Sequence, residues 1–387
     1  MIASCPVCDS ASHQPVLFYE HAPVFQMLRP GETVTLDHFA PFQVVCCSYC
    51  GHLYDRAHTQ ATGERMYQAW TLTNAVVNLN ISQELESIAD WIGPHRYQGK
   101  HVIEVGAGTG DMARIFARKA EGVTVFEPSA ALRPEMLPEE NISLIGQLFD
   151  PALAPRKADL IVCRSVLEHV GEPLQMLRDI REALDGDGAL YLEVPRGEFV
   201  EERAAIYDLA TQHTQYFYEP NLLALAGRAG LAAEQRIFIR GAHDLGLILK
   251  PISKGSAIES KPREAHPSDL KHRIQQRTNK SREVVAGLSG RSALYGANWH
   301  AISFLNLHQS DRPFAVALDD NPDFSSCALY SKKQVVPIFR PDNESLADID
   351  NVLIIAYLHE QAIVGRLKSM GFKGQLVRVE PEVSVVA

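Results

Sequence analysis

Basic residues are outnumbered in this 387-residue chain: 37 Lys and Arg stand against 47 Asp and Glu, a formal net charge of −10. That balance lacks the positive footprint of a nucleic-acid binder. Long apolar runs are missing too, since none reaches the roughly 18 to 20 residues that span a bilayer. The opening MIASCPVC has neither the basic start nor the apolar stretch of a signal peptide, so a cytoplasmic, reducing location is the expectation. Three tryptophans and seven methionines form no cofactor signature. There is no internal repeat at a fixed short period and no low-complexity tract. What remains is ordinary soluble composition, and a length that suggests two or three domains.

Cysteine is concentrated rather than scarce. Five of the seven fall within residues 1–65, and in a reducing compartment they read better as metal ligands or buried apolar groups than as disulfides. Cys5-Pro-Val-Cys8 and Cys47-Ser-Tyr-Cys50 are two CxxC knuckles able to place four thiolates around one zinc ion. Four thiolates leave no open coordination position, so a metal at Cys5, Cys8, Cys47 and Cys50 is expected to be structural, with Cys46 a neighbour. The plain alternative is two unrelated pairs of buried cysteines. Lys and Arg occur in this region only at Arg29, Arg56 and Arg65, which argues against a zinc ribbon that binds nucleic acid.

Residues 66–250 alternate strand-like and helix-like stretches. HVIEV, VTVFE, ADLIVC and ALYLEV are apolar runs suited to strands buried on both faces. EPLQMLRDIREALDGDG reads as a helix ending on Gly186 and Gly188. Such alternation predicts an α/β, Rossmann-like fold with a parallel sheet. Residues 251–290 read as a linker and a polar helix, and 291–387 as a second, smaller α/β domain with strands in SALYGA, FAVALDD, VLIIAY and QLVRV. Between Lys254 and Glu283 eight Lys or Arg face four acids. That segment could contact a substrate diphosphate, although a charged helix is ordinarily a solvated face.

The glycines of HVIEVGAGTGD are the sharpest signal. Gly106, Gly108 and Gly110 follow a buried strand, and Asp111 stands where a dinucleotide G-x-G-x-x-G would have its third glycine. With Glu104 two residues ahead, the pattern resembles the first motif of class I SAM-dependent methyltransferases. There the turn passes under the methionine part of the cofactor, whose ammonium needs an acidic or carbonyl partner. Glu127, seventeen residues beyond Gly110 and followed by Pro128, ends the second strand where an acid can hold ribose hydroxyls. Phe149 could flank the adenine or belong to the core. Arg164 and Ser165, after ADLIVC, complete the candidate cofactor contacts. An NAD enzyme loses on the glycine spacing, and a ligand-free turn is the bland alternative.

Over most of its length the chain resembles the C-methyltransferases of nucleotide-linked deoxysugars. The stretches that carry the likeness are CPVC with CSYCGHLY, EVGAGTGD, FEPS, SVLEHVGEP, LYLEVP, HTQYF, LYGAN, and LDDNP with VVPI. The resemblance implies three parts: zinc-binding residues 1–65, a SAM domain over 66–250, and a Rossmann-like substrate domain over 291–387. It implies S-adenosylmethionine as cofactor, structural zinc, and a nucleotide-linked sugar as small-molecule partner, with neither nucleic acid nor membrane. The family's histidine after the fourth strand corresponds to His169. Its Tyr-x-Glu-His run corresponds to Ala210-Thr211-Gln212-His213, followed by Tyr216 and Phe217, and its lysine in Gly-Ala-x-x-Lys-Gly corresponds to His300. His169, His213 and Tyr216 are therefore the candidate catalytic residues, because histidine titrates where a general base is needed at neutral pH. O-methylation of a sugar or another polar metabolite is the alternative, and a non-catalytic SAM or zinc interaction module is the rival from another class.

Overall fold

The structure is a computed structural model that describes residues 1–68, 79–252, 267–307, 312–379 and 382–386. Its described residues form two compact units. The first draws on Met1–Pro15, Val45–Glu198 and His213–Ala265, the second on Val16–Val44, Phe199–Gln212 and His266–Ala387.

Two long strands, β1 (His13–Pro23) and β2 (Phe39–Cys47), carry the chain out of the first unit and back. They are followed by β3 (Leu53–Asp55), α1 (Gln60–Gln68) and α2 (Leu79–Ile92). Next come β4 (His101–Val105), α3 (Asp111–Ala117), β5 (Gly122–Phe126), β6 (Ile142–Ile145), β7 (Ala158–Arg164), α4 (Pro173–Ala183) and β8 (Leu184–Pro195). After α5 (Gly197–Arg203), the unit ends with β9 (Gln215–Tyr216), α6 (Glu219–Arg228), β10 (Leu231–Ile239) and β11 (Asp244–Pro251).

Its main sheet has the order β10-β11-β8-β7-β4-β5-β6. The five strands β8 to β6 are parallel, and β10 and β11 add an antiparallel hairpin at one edge. Parallel neighbours need a crossover; α3 lies in the one between β4 and β5 and α4 in the one between β7 and β8, while loops with short 3-10 turns join β5, β6 and β7. Every residue of β4 is buried, and its side chains alternate between two layers. Ile103 and Val105 pack with Leu177 and Ile180 of α4, and Val102 packs with Ile92 of α2 and Phe116 of α3. The order sets the first strand, β4, beside the fourth, β7. The crevice beyond the carboxyl ends of such a switch point is where open α/β sheets bind ligands.

All four sequence-predicted strands of this unit are present, but one boundary differs. Helix α4 stops at Ala183 and β8 begins at once, so Gly186 and Gly188 lie inside the strand rather than capping the helix. Here β7 and β8 slip register, Ala158 facing Leu184 and Leu160 facing Ala189. A Cβ on Gly188 would lie 2.8 Å from the Ala158 carbonyl oxygen, so a bulge there needs glycine.

The second unit contains α7 (Pro267–Gly287), β12 (Ser292–Tyr295), α8 (Trp299–Leu307), β13 (Val316–Leu318), β14 (Ala328–Tyr330) and β15 (Val335–Phe339). It continues with α9 (Asn343–Leu346), β16 (Asn351–Ile354), α10 (Glu360–Ser369), β17 (Gln375–Arg378) and β18 (Ser384–Val385). Its sheet, β14-β15-β13-β12-β16-β17-β18, repeats the doubly wound pattern and includes the four expected strands. The polar helix is α7, with a buried stripe of Leu270, Ile274, Thr278, Ser281 and Val285. On its other faces Arg273 donates to the Glu202 carbonyl and Lys280 pairs with Glu382 at 3.0 Å. The linker portion from 253 to 266, with Lys254, lies outside the described residues. Among the described residues no helix is long and apolar enough to cross a membrane.

Candidate active site and cysteine centre

A cavity of about 860 Å³ opens at the carboxyl ends of β4, β5, β6 and β7. The turn after β4 gives it Gly106 and Gly108, the end of β5 gives Glu127 and Pro128, and Phe149 comes from beyond β6. Arg164, Ser165 and His169 reach it from β7 and the turn that follows. Glu104, Gly110, His213 and Tyr216 are not on its wall.

The glycine turn has a steric cause. Gly106 has φ +71°, and a Cβ there would meet Val166 Cγ2 at 2.4 Å. Gly106→Ala is expected to lower stability by about 2–4 kcal/mol, combining left-handed strain with overpacking. Chemical denaturation measures this, and adding Val166→Ala should recover only the packing share. Glu127 ties the second strand to the turn. Its Oε2 accepts the Gly108 N–H at 2.8 Å and its Oε1 accepts the Ser129 N–H at 2.8 Å, while burial raises its pKa. Each carboxylate oxygen keeps further lone pairs, so ribose hydroxyls could bond to the same group. Phe149 meets Phe126 edge to face at 5.1 Å and is half-buried, so it serves core and cavity together.

Glu104 lies under the turn. Its Oε2 is buried and has no hydrogen-bond partner among the described residues, and burial pushes its pKa up to about 8. Between the ordinary value of 4.5 and about 8, the folded chain holds a proton that the unfolded chain has released. Stability of the cofactor-free protein therefore falls as pH rises through that window. Glu104→Gln should remove this slope, so its gain in Tm over wild type is expected to grow from pH 5 to pH 8 in thermal melts.

Arg164 is committed to structure as well as to the cavity. It forms a two-bond pair with the fully buried Glu193, at 2.9 and 3.0 Å, and Glu193 also accepts the Tyr191 hydroxyl at 2.7 Å. Ser165 follows with φ +51°, a strained value for a residue with a side chain, and its N–H donates to the Glu193 carbonyl.

The histidines divide. His169 lines the cavity, and its Nε2 is 3.8 Å from Oε1 of the buried Glu168. His213 stands behind it, ring centroids 5.2 Å apart, and Tyr216 is a further 6.1 Å from His213. Donor atoms of Glu168, His169 and His213 lie within 4.8 Å of one another. The segment holding His213 is pinned by β9, which pairs with β3, and by the Thr214 N–H on the Glu168 carbonyl at 2.8 Å. A third histidine, His58, lines the cavity and was not singled out from the sequence. It lies in a loop after β3 with no motif around it, so no local signal marks it.

The four knuckle cysteines come together although 38 residues separate the pairs. Cys5 Sγ is 3.6 Å from Cys50 Sγ, Cys8 Sγ is 3.5 Å from Cys47 Sγ, and all four lie within 4.8 Å. A zinc tetrahedron with bonds of about 2.3 Å sets its sulfurs roughly 3.8 Å apart, so the set fits that ion. Each knuckle is closed alike: the N–H of Asp9 returns to the Cys5 carbonyl at 2.9 Å, and that of Gly51 to Cys47 at 3.0 Å. Hydrogen bonds from Cys5 and Cys50 hold the Cys47 thiol far below its ordinary value, and the same sharing pushes Cys5 and Cys50 up. Four thiolates this close repel one another, so the set is suited to hold them together beside a cation.

A family model described as a methyltransferase domain matches residues 78–236. This part of the chain is a methyltransferase domain. The likeness to curated proteins is low. The tRNA U34 carboxymethyltransferase of Wolinella succinogenes is 26% identical over 180 residues, which is 39% of this chain and 62% of that protein. The ubiquinone biosynthesis O-methyltransferase of Coxiella burnetii is 26% identical over 108 residues, 26% of this chain and 46% of that protein. The chain thus spans less than two thirds of the length of these relatives. Among solved structures, the magnesium protoporphyrin IX methyltransferase of Synechocystis with bound SAM aligns at a TM-score of 0.35 and 18% identity, covering 44% of this chain and 79% of that one. The methyltransferase domain contains every cofactor candidate named from the sequence, whereas the cysteines and His58 precede it.

Proposed function

We propose that the protein transfers a methyl group from SAM to carbon of a nucleotide-linked sugar, with a structural zinc in its N-terminal region. The observation that carries this reading is one cavity, at the switch point of the sheet, that joins the glycine turn, Glu127 and a histidine. Its volume falls in the range of small-molecule sites, and a methyltransferase domain supplies the glycine turn, Glu127 and His169 on its wall. SAM, when bound, supplies a methyl group on a sulfonium for in-line displacement. Glu127 would hold the ribose, the glycine turn would admit the methionine part, and Phe149 would border the adenine. Placement by these groups lowers the barrier, because donor and acceptor must meet in line. The sequence offers His169 and His213, with Tyr216 beside them, for the proton, and of these three His169 is on the cavity wall. The substrate class rests on the resemblance in three parts: zinc region 1–65, methyltransferase domain 66–250, and substrate domain 291–387 after the linker and helix of 251–290. A cytoplasmic location belongs to the same reading. The net charge of −10 argues against a tRNA acceptor like that of one relative.

O-methylation is favoured by one feature, Ala210 and Gln212 where the family has tyrosine and glutamate. Loss of a carboxylate beside His213 suits an acceptor that needs little help to ionise. Calorimetric titration with SAM, S-adenosylhomocysteine and NAD tests the cofactor, with the first two expected to bind. Incubation with a panel of nucleotide sugars then tests the acceptor, and NMR of the product separates a C-methyl from an O-methyl group. Binding of NAD alone would overturn the proposal at its root.

A further inference from the structure

We propose that His58 is the group that accepts the proton of the methyl acceptor. Its loop follows β3 and precedes the methyltransferase domain. Asp55 shapes this loop: its Oδ1 accepts the Ala57 N–H at 2.9 Å, and its own N–H donates to the Thr214 carbonyl at 2.8 Å.

The tautomer follows from one hydroxyl. Thr214 Oγ1 is 3.1 Å from His58 Nδ1 and donates to the His169 carbonyl at 3.3 Å. A carbonyl only accepts, and threonine has a single hydroxyl hydrogen. Both bonds form together only if Nδ1 of His58 carries the proton. That leaves the lone pair on Nε2, the nitrogen that no described residue engages.

The cavity is built to leave that edge open. Gly63 and Gly171 flank the ring, and both line the cavity with His58. A Cβ on Gly63 would lie 3.4 Å from Nε2, and one on Gly171 would lie 3.5 Å from Cδ2. Glycine at both places keeps side chains off the basic nitrogen. His169 is less suited, because its Nε2 lies toward the buried Glu168 carboxylate. Burial holds His58 below its ordinary pKa, which favours the neutral ring. The other titratable groups on the walls near it are Glu64 of α1, Glu172 before α4, and His169.

In the step itself, the acceptor's O–H or C–H bond gives its proton to Nε2 while that bond's electron pair reaches the methyl carbon. The carbon–sulfur bond breaks with its electrons left on sulfur, and the imidazolium later loses its proton to water. Thr214 is a positioning residue, acting through the tautomer. This step rests on the methyltransferase reading above.

Two measurements on the full chain need no acceptor. Long-range nitrogen–proton NMR should show His58 as the Nδ1–H tautomer, changed in Thr214→Val and restored in Thr214→Ser. Diethyl pyrocarbonate should modify His58, located by peptide mass mapping. An Nε2–H tautomer, or a His58 that stays unmodified while other histidines react, would overturn the proposal. With an acceptor in hand, His58→Gln should lower kcat about 100-fold or more, the usual scale of general-base catalysis, with SAM binding unchanged. Wild-type turnover by that variant would sink the role of His58 and leave the methyltransferase reading intact. If wild type turns over no nucleotide sugar, the acceptor class falls, and the tautomer and modification results still decide His58.

Discussion

Removal of the metal is expected to melt the N-terminal knuckles and to weaken SAM binding in the same step. The four sulfurs already stand at zinc-like separations, and Cys5, Cys47 and Cys50 are almost fully buried. Without a dication, four crowded thiolates would repel one another, and the two loops lose the ion that would join their sulfurs. The consequence reaches the cavity because Met1 to Pro6 form part of its wall beside the glycine turn. That segment is also held by the Ile2 N–H on the Arg56 carbonyl at 3.0 Å, by Arg228 on the Val7 carbonyl and Asp9, and by the packing of Cys5 and Val7 in the core. Structural zinc contributes on the order of 10 kcal/mol in isolated fingers, and a part of that is expected here. Elemental analysis should find one zinc per chain. Cys47→Ser should lose it, with Tm down by roughly 10 °C, a few kcal/mol in a unit of this size. SAM affinity should drop about tenfold or more, while Cys46→Ser keeps the metal. A metal-free chain that binds SAM as well as the purified protein would refute the coupling.

Glu127→Ala should be the most damaging change for the cofactor alone. The carboxylate sits at the end of β5, accepts the Gly108 and Ser129 N–H groups, and faces the cavity. Hydrogen bonds to a charged group are worth about 1.5–3 kcal/mol each. Losing two ribose contacts together with the support of Gly108 should weaken SAM by about 100-fold or more, read by calorimetry. Glu127→Gln keeps the shape without the charge and should fall between the two. Equal affinity in all three proteins would mean that the ribose is held elsewhere.

The sequence was most legible where a local rule forces a residue type. Strands buried on both faces read as unbroken apolar runs, so β4, β5, β7 and β8 stood out. The G-x-G-x-G turn was legible because close approach to Val166 excludes a side chain at Gly106. CxxC spacing marked both knuckles because two cysteines three positions apart on a tight turn can aim their thiols at one point. The error at Gly186 and Gly188 came from the same kind of reasoning, since glycine serves a bulge as well as a helix end. Local context could not tell the two apart.

Residue by residue, the sequence alone determined the Rossmann-like fold, the glycine turn and the two CxxC knuckles, since each depends on neighbours along the chain. Only the tertiary structure decided that 16–44 and 199–212 belong to the second unit, that His169 faces the cavity while His213 stands behind it, and that Arg164 is paired with Glu193. It alone brought His58 to the same wall, through a Thr214 that lies 156 residues away. Which histidine meets a cavity depends on where β3, β9 and the turn after β7 converge, and no stretch of sequence records a distance between segments.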